Sequence, residues 1–370
     1  MTLVLLAGSV VMGRSFLALL GTDLGFQTDH IATVSVSLKG SSVGDDNKVS
    51  YYRDTLEKVR SVPGVEAAGV VSHLPLGRLA FAASTWTLDT DRPVPLVRFT
   101  DASNDYFRAI GTAFLAGRDF TAQEIAKGEP VVIINESFAR AAGGIEGLVG
   151  KKVTTGLFKN APMTIVGIVR SNRYAGPQFE AWPQVFLPRP WDPMTLVARV
   201  HGDAKAYVPV IRDAVESVNP SVTVFGAMTM DDHLAETLAR PRFYTTAVLF
   251  FGAFALLLAI IGIYGPASYS VSQKSHEIGV RIAVGATASI VRRRILLEGL
   301  LPVAIGMAAG VAGASALGKY LSHLIDAAQK VDALTCAGAA LILGAIAAIA
   351  IWSATGRIVR MDPLEVLRSE

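Results

Sequence analysis

Cysteine is almost missing from this chain, and Cys336 alone excludes an intrachain disulfide and any multi-cysteine metal site. Histidine is scarce too. The six histidines form no cluster, and His276-Glu277 opens like a zinc-binding helix without a second histidine at the required step. Charge is thin, at 18% of residues against 51% hydrophobic content and a mean hydropathy of +0.42, which is too apolar for a soluble globular protein. The net charge is only +3, and the basic cluster Arg292 to Arg294 borders an apolar run, so a membrane-facing anchor explains it and nucleic acid is not an expected partner. A phosphate loop is missing as well: in GIEGLVGKK the first glycine is one place off the required spacing and Lys152 stands where Ser or Thr is needed. That stretch reads as a turn. No nucleophile and base stand together above background. Asn135-Glu-Ser137 fits a glycosylation triplet but reads better as the N-terminal cap of the helix SFARAA.

Long uncharged runs are what the chain does have. Phe243 to Gln273 gives 31 such residues, Gly299 to Gly318 gives 20 and Ala333 to Gly356 gives 24, where a spanning helix needs about 20. The start offers only 13 residues before Arg14. It reads as a first span (1–22) with its opening turns missing, since a signal peptide would need a basic leader and an Ala-x-Ala site. An in-frame extension before Met1, or origin as a piece of a longer permease, is the corresponding expectation. No charge lies deep in any run, Glu298 being at an edge within i,i+4 reach of Arg294, which argues against an ion-coupled carrier. Gly306 and Gly310 form a GxxxG, and Ala340, Gly344 and Ala348 repeat small residues, so Gly306, Gly310 and Gly344 are candidate helix-packing positions, within the chain or against a second copy.

Orientation follows from the short loops. The segment 274–294 carries five Lys and Arg, the tail 357–370 three, and the loop 319–332 two, which puts the turn and the tail in the cytosol. With four spans, residues 23–242 then form one large extracytoplasmic domain. Within it a pattern occurs twice. Ala32, Val34, Val36 and Leu38 alternate like a strand and Val49, Tyr52, Leu56 and Val59 follow at helical spacing; later Leu196, Ala198 and Val200 alternate before Val208, Ile211, Val215 and Val218. Two such βαβ units predict a split α/β lobe (30–72 with 194–240), and the strand-rich block 73–193 reads as a lobe inserted into it. Thr229 to Asp232 has capping-box spacing and predicts a short helix ending near Ala239, with Pro241 in the first turn of the next span.

The inner turn KSHEIGVRIAVGATASIVRRR is not a passive connection. On a helical wheel Lys274, Glu277 and Arg281 share a stripe, with Ile278 and Ile282 on one flank and Val280 and Val284 on the other. Glu277 and Arg281 stand i,i+4 in the favourable order, although such a pair contributes only about 0.3 to 0.5 kcal/mol. Gly279 and Gly285 cost about 1 kcal/mol each in a helix interior and point to a close approach or a helix end.

The order GIYGPASYSVSQKSHEIGVRIAVGA, then LLEGL, then MDPLEVLRSE resembles the FtsX-like permease family, and NDYFRAIG, GRDFTAQE, VVIINESFAR and MTIVGIV resemble a MacB-like periplasmic core domain. The likeness covers nearly the whole chain, and within the family it is similar to one half of a duplicated permease. It implies a subunit of an ABC transporter in the bacterial inner membrane, driven by a cytosolic ATPase on another chain that holds the ATP and Mg, with no cofactor, metal or catalytic residue here. Glu277, Ile278, Gly279, Arg281, Ile282 and Gly285 would then meet the ATPase, and Asp362 and Pro363 would belong to the cytosolic tail signature. Pro266 departs from the family, which usually has an aliphatic residue there. The implied partners are that ATPase, a second permease copy or half, membrane lipid and, for export, a periplasmic adaptor; a lipoprotein-releasing or cell-division permease is the alternative of the same fold. A membrane-tethered sensor is a further alternative, against which the elaborate inner turn argues.

The topology is checked by introduced cysteines: one at Ser275 should react with impermeant thiol reagents only from the cytosolic side and one at Ser41 only from outside. A label on the opposite side of either position overturns the four-span arrangement.

Overall fold

A computed structural model describes residues 2–76, 83–89, 92–189, 192–273, 288–322 and 333–356. The chain divides into two compact units, Gly21–Ala239 and Met1–Leu20 with Arg240–Glu370.

In the first unit β1 (Ile31–Ser37), α2 (Lys48–Arg60) and β2 (Val65–Val71) form one βαβ segment, and β10 (Met194–Val200), α6 (Ala204–Val218) and β11 (Thr223–Thr229) form another. Their strands interleave in the order β11-β1-β10-β2, every neighbouring pair antiparallel. One face is closed by the two helices. Ala32, Val34 and Val36 of β1 and Leu196, Ala198 and Val200 of β10 pack there against Tyr52, Leu56 and Val59 of α2 and Ile211 and Val215 of α6, all buried. Period-2 alternation on the strands meets period-3.6 spacing on the helices, which is why these residues share one core.

Between β2 and β10 the chain builds a second sheet from β3 (Ala83–Leu88), β4 (Pro93–Asp101), β5 (Phe114–Gly117), β6 (Val131–Asn135), β7 (Lys152–Thr155), β8 (Met163–Val169) and β9 (Gln184–Leu187). The order is β5-β8-β6-β9-β4-β3-β7, and β7 also pairs with β8, so six of the strands close into a ring with β5 at its side. Closure leaves few exposed edges. Trp86, Val97, Ile134, Val153, Ile165 and Val185 fill the interior with Phe138 of α5 (Glu136–Ala141). Asn135 caps that helix by accepting from the Phe138 amide (2.9 Å) and also accepts from the Gln184 amide (2.9 Å), while its own amide donates to the Trp182 carbonyl (2.7 Å). Residues 144–151 run as turns that bury Leu148, with Gly144, Gly147 and Gly150 at positive φ.

In the second unit α1 (Thr2–Leu20), the apolar part of α7 (Met230–Gln273) and that of α8 (Ala288–Ser322) are long and apolar enough to cross a membrane, and α9 (Ala333–Gly356) is apolar as well. At 1.5 Å per residue α1 measures about 28 Å, close to the hydrocarbon thickness.

Two helices differ from the sequence expectation. The short helix to Ala239 and the span from Phe243 are one helix, Met230–Gln273, with Pro241 and Pro266 inside it. A proline removes one backbone bond and costs about 3 kcal/mol in a helix interior. Around Pro266 the flanks are uncharged and their backbone must be satisfied within the helix, which carries that loss; Pro241 stands between Arg240 and Arg242, with the buried Met230 and Leu238 before it and the apolar run after it. Likewise α8 begins at Ala288, so residues 288–294, read as the end of the inner turn, are its first turns. Arginine is a good helix former with a long apolar stem, and Arg292 to Arg294 extend the helix instead of breaking it.

One electrostatic element of the inserted block is testable. α4 (Ala122–Lys127) opens with a capping box in which Thr121 Oγ1 accepts from the Glu124 amide (3.2 Å) and Glu124 accepts from the Thr121 amide (2.8 Å). Arg118 donates to both carboxylate oxygens at 2.6 and 2.9 Å and, with the Thr121 bonds, holds Glu124 at about 2, below its usual 4.5. A depressed carboxyl contributes stability that is present above the unfolded value and lost as pH falls through the folded one. Glu124→Gln should therefore cost about 2 kcal/mol near neutral pH, after allowance for the half-exposed Arg118, and the gap to the parent should close between pH 4.5 and 2. Denaturant titrations followed by tryptophan fluorescence check this; a pH-independent gap would contradict it.

Candidate functional site

The face of the four-stranded sheet opposite α2 and α6 is also apolar. Ile31, Ala67, Val71 and Val197 point there, and they pack with Tyr106, Phe107, Ala109 and Ile110 of α3 (Tyr106–Ile110), with Ile133 and Phe186 of the second sheet, and with Met230. Gly69 makes the crossing of β2 and α3 possible, since a Cβ there would lie 2.5 Å from Tyr106 Cα. Phe107 and Phe186 meet edge to face at 4.8 Å, a geometry that adds to their burial. Met230 begins α7, whose cap is Thr229: its Oγ1 accepts from the Asp232 amide (3.1 Å). Residues 230, 234 and 238 follow at helical spacing, with Met230 and Leu238 buried and Leu234 packed on this core. The root of α7 is thus embedded where the two sheets meet.

A hydrogen-bonded seam joins the sheets. The end of β2 runs antiparallel to the end of β4 at the bridge Val71–Ala102. Ser72 donates its amide to the Asp101 carbonyl and Ser103 its amide to the Val70 carbonyl, both at 2.9 Å. The side chains repeat the pattern in reverse: Ser103 Oγ accepts from the Val70 amide (2.8 Å) and Ser72 Oγ accepts from the Asp101 amide (3.0 Å). Beside the seam Arg60 bridges the Ala68 carbonyl (2.7 Å) and the Asp105 carboxylate (3.1 Å). Asp119 accepts from the amides of Phe120 (2.7 Å) and Asp105 (2.9 Å), yet burial raises its pKa to about 6. Among the described residues no group of three or more His, Cys, Asp or Glu is placed to hold a metal.

In the membrane unit α1 and α7 touch where Ser9 Oγ lies 2.9 Å from the Val248 carbonyl, and a Cβ on Gly252 would come within 2.2 Å of that hydroxyl. Gly310 faces Leu3 of α1 and Gly344 faces Met307 of α8. Gly306 lies instead on a cavity of about 670 Å³ lined by Gly262, Pro266, Ser270, Glu298 and Pro302, so the GxxxG glycines face different surroundings. Glu277, Ile278, Gly279, Arg281, Ile282, Gly285, Asp362 and Pro363 lie outside the described residues. The serines of the seam escaped the sequence reading because they stand 31 positions apart and carry no local signal.

This arrangement, apolar helices with a large folded domain between the first and second of them, has a counterpart among known families. The chain matches the MacB-like periplasmic core domain over residues 3–235 and the FtsX-like permease C-terminal domain over residues 249–363. It belongs to the MacB-like family of FtsX-type ABC transporter permeases. Among similar proteins, the macrolide export ATP-binding/permease protein MacB of Salmonella paratyphi A is 24% identical over 351 residues, covering 90% of this chain and 51% of that protein. The protein of the same name from Chromobacterium violaceum is 25% identical over 222 residues, covering 56% and 33%. The chain spans about half the length of the curated relatives it matches. A crystal structure of the periplasmic region of MacB from Actinobacillus actinomycetemcomitans is 12% identical, covering 58% of this chain and 94% of that one at a TM-score of 0.38.

The seam has a measurable weight. Ser103→Ala leaves the buried Val70 amide without its side-chain acceptor, and Ser72→Ala does the same to Asp101, so each should cost about 1 to 3 kcal/mol. Denaturant titration of the full chain checks it, and a double-mutant cycle should show the two changes coupled, because they close one ring of bonds. Losses below a few tenths of a kcal/mol would mean that water replaces these bonds and the seam is loose.

Proposed function

We propose that this chain is the permease subunit of an ABC transporter that carries ATP-driven motion from a separate cytosolic ATPase to its extracytoplasmic domain in the service of export. The observation that carries this reading is the pairing of the two family matches on one chain with a single helix, α7, whose root is buried in the outer core and whose remainder is an apolar span. A continuous helix is stiff along its axis, so displacement of the span is passed on instead of being absorbed in a flexible tether. The reaction on this chain is mechanical. ATP and Mg belong to the ATPase, and the relatives' name of ATP-binding/permease protein supports the pairing of such a permease with an ATPase. A second permease copy or half, membrane lipid and a periplasmic adaptor complete the assembly in the inner membrane, and macrolide-like cargo is suggested by the relatives' names alone.

Docking of the ATPase falls to the inner turn. As a helix lying along the cytosolic surface, residues 276–284 would pack one apolar flank on the chain's own spans and leave the other to a groove on the nucleotide-binding subunit, with Arg281 at the rim. Burying two valine- or isoleucine-sized side chains is worth roughly 1.5 to 3 kcal/mol each before the costs of association, enough to contribute but not to hold the complex alone. Replacing Arg281 by Glu together with Gly279→Leu should abolish stimulated ATP hydrolysis by the partner and leave insertion and the outer fold intact. A double mutant that drives its ATPase as well as the parent would show the segment to be only a loop.

A further inference from the structure

α7 meets the outer unit through more than apolar packing. Met230, His233, Leu234, Thr237 and Leu238 fall at i, i+3, i+4, i+7 and i+8, one face of the helix. Three of them are apolar, Met230 and Leu234 joining the core between the sheets and Leu238 being buried; the other two are polar and reach the same short strap, the residues that follow β2. His233 Nε2 lies 3.1 Å from the Pro75 carbonyl, a bond that requires the tautomer with its proton on Nε2. Thr237 Oγ1 lies 3.1 Å from the Leu76 carbonyl and 3.0 Å from the carbonyl of His233, so its one proton has an acceptor on the strap and another on its own helix.

Leu76 itself is unusual. It is buried at 4% exposure and its φ is +66°, in the left-handed region that leucine rarely adopts. A buried residue stays there only when its surroundings over-determine it. Here they do: while its carbonyl faces Thr237, its amide donates to the Tyr174 carbonyl at 2.7 Å. Tyr174 belongs to the second sheet's side of the unit. Its ring lies under the Arg98 guanidinium of β4, 3.9 Å from carbon to ring centroid. The loop around it is braced by Arg173, whose amide donates to the Leu24 carbonyl (2.9 Å) and whose guanidinium donates to the Phe179 carbonyl (2.7 Å).

From α7 to β4 there is thus a line of direct contacts: His233 and Thr237, then Pro75 and Leu76, then Tyr174, then Arg98. We infer that Leu76 is a coupling point, and His233 and Thr237 are positioning residues, through which a displacement of α7 is delivered to the closed sheet. The strap is a hydrogen-bonded link between them that adds to the packing of Met230 beside Ile133 and Phe186, so the closed sheet is moved directly and the four-stranded sheet serves as its bearing. This rests on the reading of the chain as a motion-transmitting permease, and it adds which part of the outer unit receives the motion and by which residues.

The test uses the full chain in lipid nanodiscs with its partner ATPase and reads amide hydrogen exchange. Three forms are compared: the parent, His233→Phe with Thr237→Val, and the conservative pair His233→Gln with Thr237→Ser, which keeps both donors. Without nucleotide, the Phe/Val form should exchange about tenfold faster at Leu76 and across residues 173–176, with β1 and β10 unchanged and the Gln/Ser form close to the parent. Unchanged exchange at Leu76, or equal acceleration in β1 and β10, overturns the inference, the second because it would be a loss of global stability. During ATP turnover the parent should show altered exchange in β4 and β9 that the Phe/Val form lacks while still stimulating its ATPase. If that form transmits the change as the parent does, the strap is not the coupling point, although the permease reading stands. If the parent shows no turnover-dependent change, the permease reading itself fails.

Discussion

A sheet with two apolar faces must be covered twice, and the outer unit is arranged around that requirement. In β1 the residues Ile31, Ala32, Thr33 and Val34 are all fully buried, successive side chains pointing to opposite faces. The helices α2 and α6 cover one side with the local chain. Nothing local is left for the other. That face is closed by α3, by residues of the closed sheet and by the start of α7, so elements from distant parts of the sequence meet in one core. Burial of this second face is what assembles the sheets and helix root into one unit.

The bonds around that core divide the labour. Apolar burial is strong but without direction, whereas the paired serine bonds of the seam and the bonds at the strap fix register. The closed sheet has a core of its own around Trp86 and Phe138, which makes it a body that can be pushed as a whole. Gly69, where any side chain would strike Tyr106, sets how closely the two bodies approach. In the membrane unit the contact of Ser9 with Gly252 does the same for α1 and α7.

The parts of this fold that were legible in the sequence are those governed by short-range periodicity. Alternation at Ala32, Val34 and Val36 and helical spacing at Tyr52, Leu56 and Val59 place one shared core, because both periods are properties of neighbouring residues. The cap at Asn135 and the turns after Gly144 were readable for the same reason. Pro241 misled. A local rule puts a helix boundary there, while the long helix it sits in is held by packing at one end and an apolar run at the other, neither visible to a rule about one residue. The candidate site was less legible still. Ser72 with Ser103, and Leu76 with Tyr174 and Thr237, are partners across 31 to 161 positions, and serine, leucine and threonine are too common to announce such pairs.

The three bonds at Asn135 have a consequence beyond capping. The side chain spends its oxygen on two amides and its nitrogen on a carbonyl, and it is 1% exposed. The triplet that begins there is therefore closed to any sugar-transferring enzyme once the lobe has formed, and open only on a nascent chain. In a eukaryotic secretory host the two processes would compete, and a chain that received the sugar first would carry it on the nitrogen that donates to the Trp182 carbonyl, at a position whose burial leaves no room for it. A glycan at this position would mark molecules that never folded.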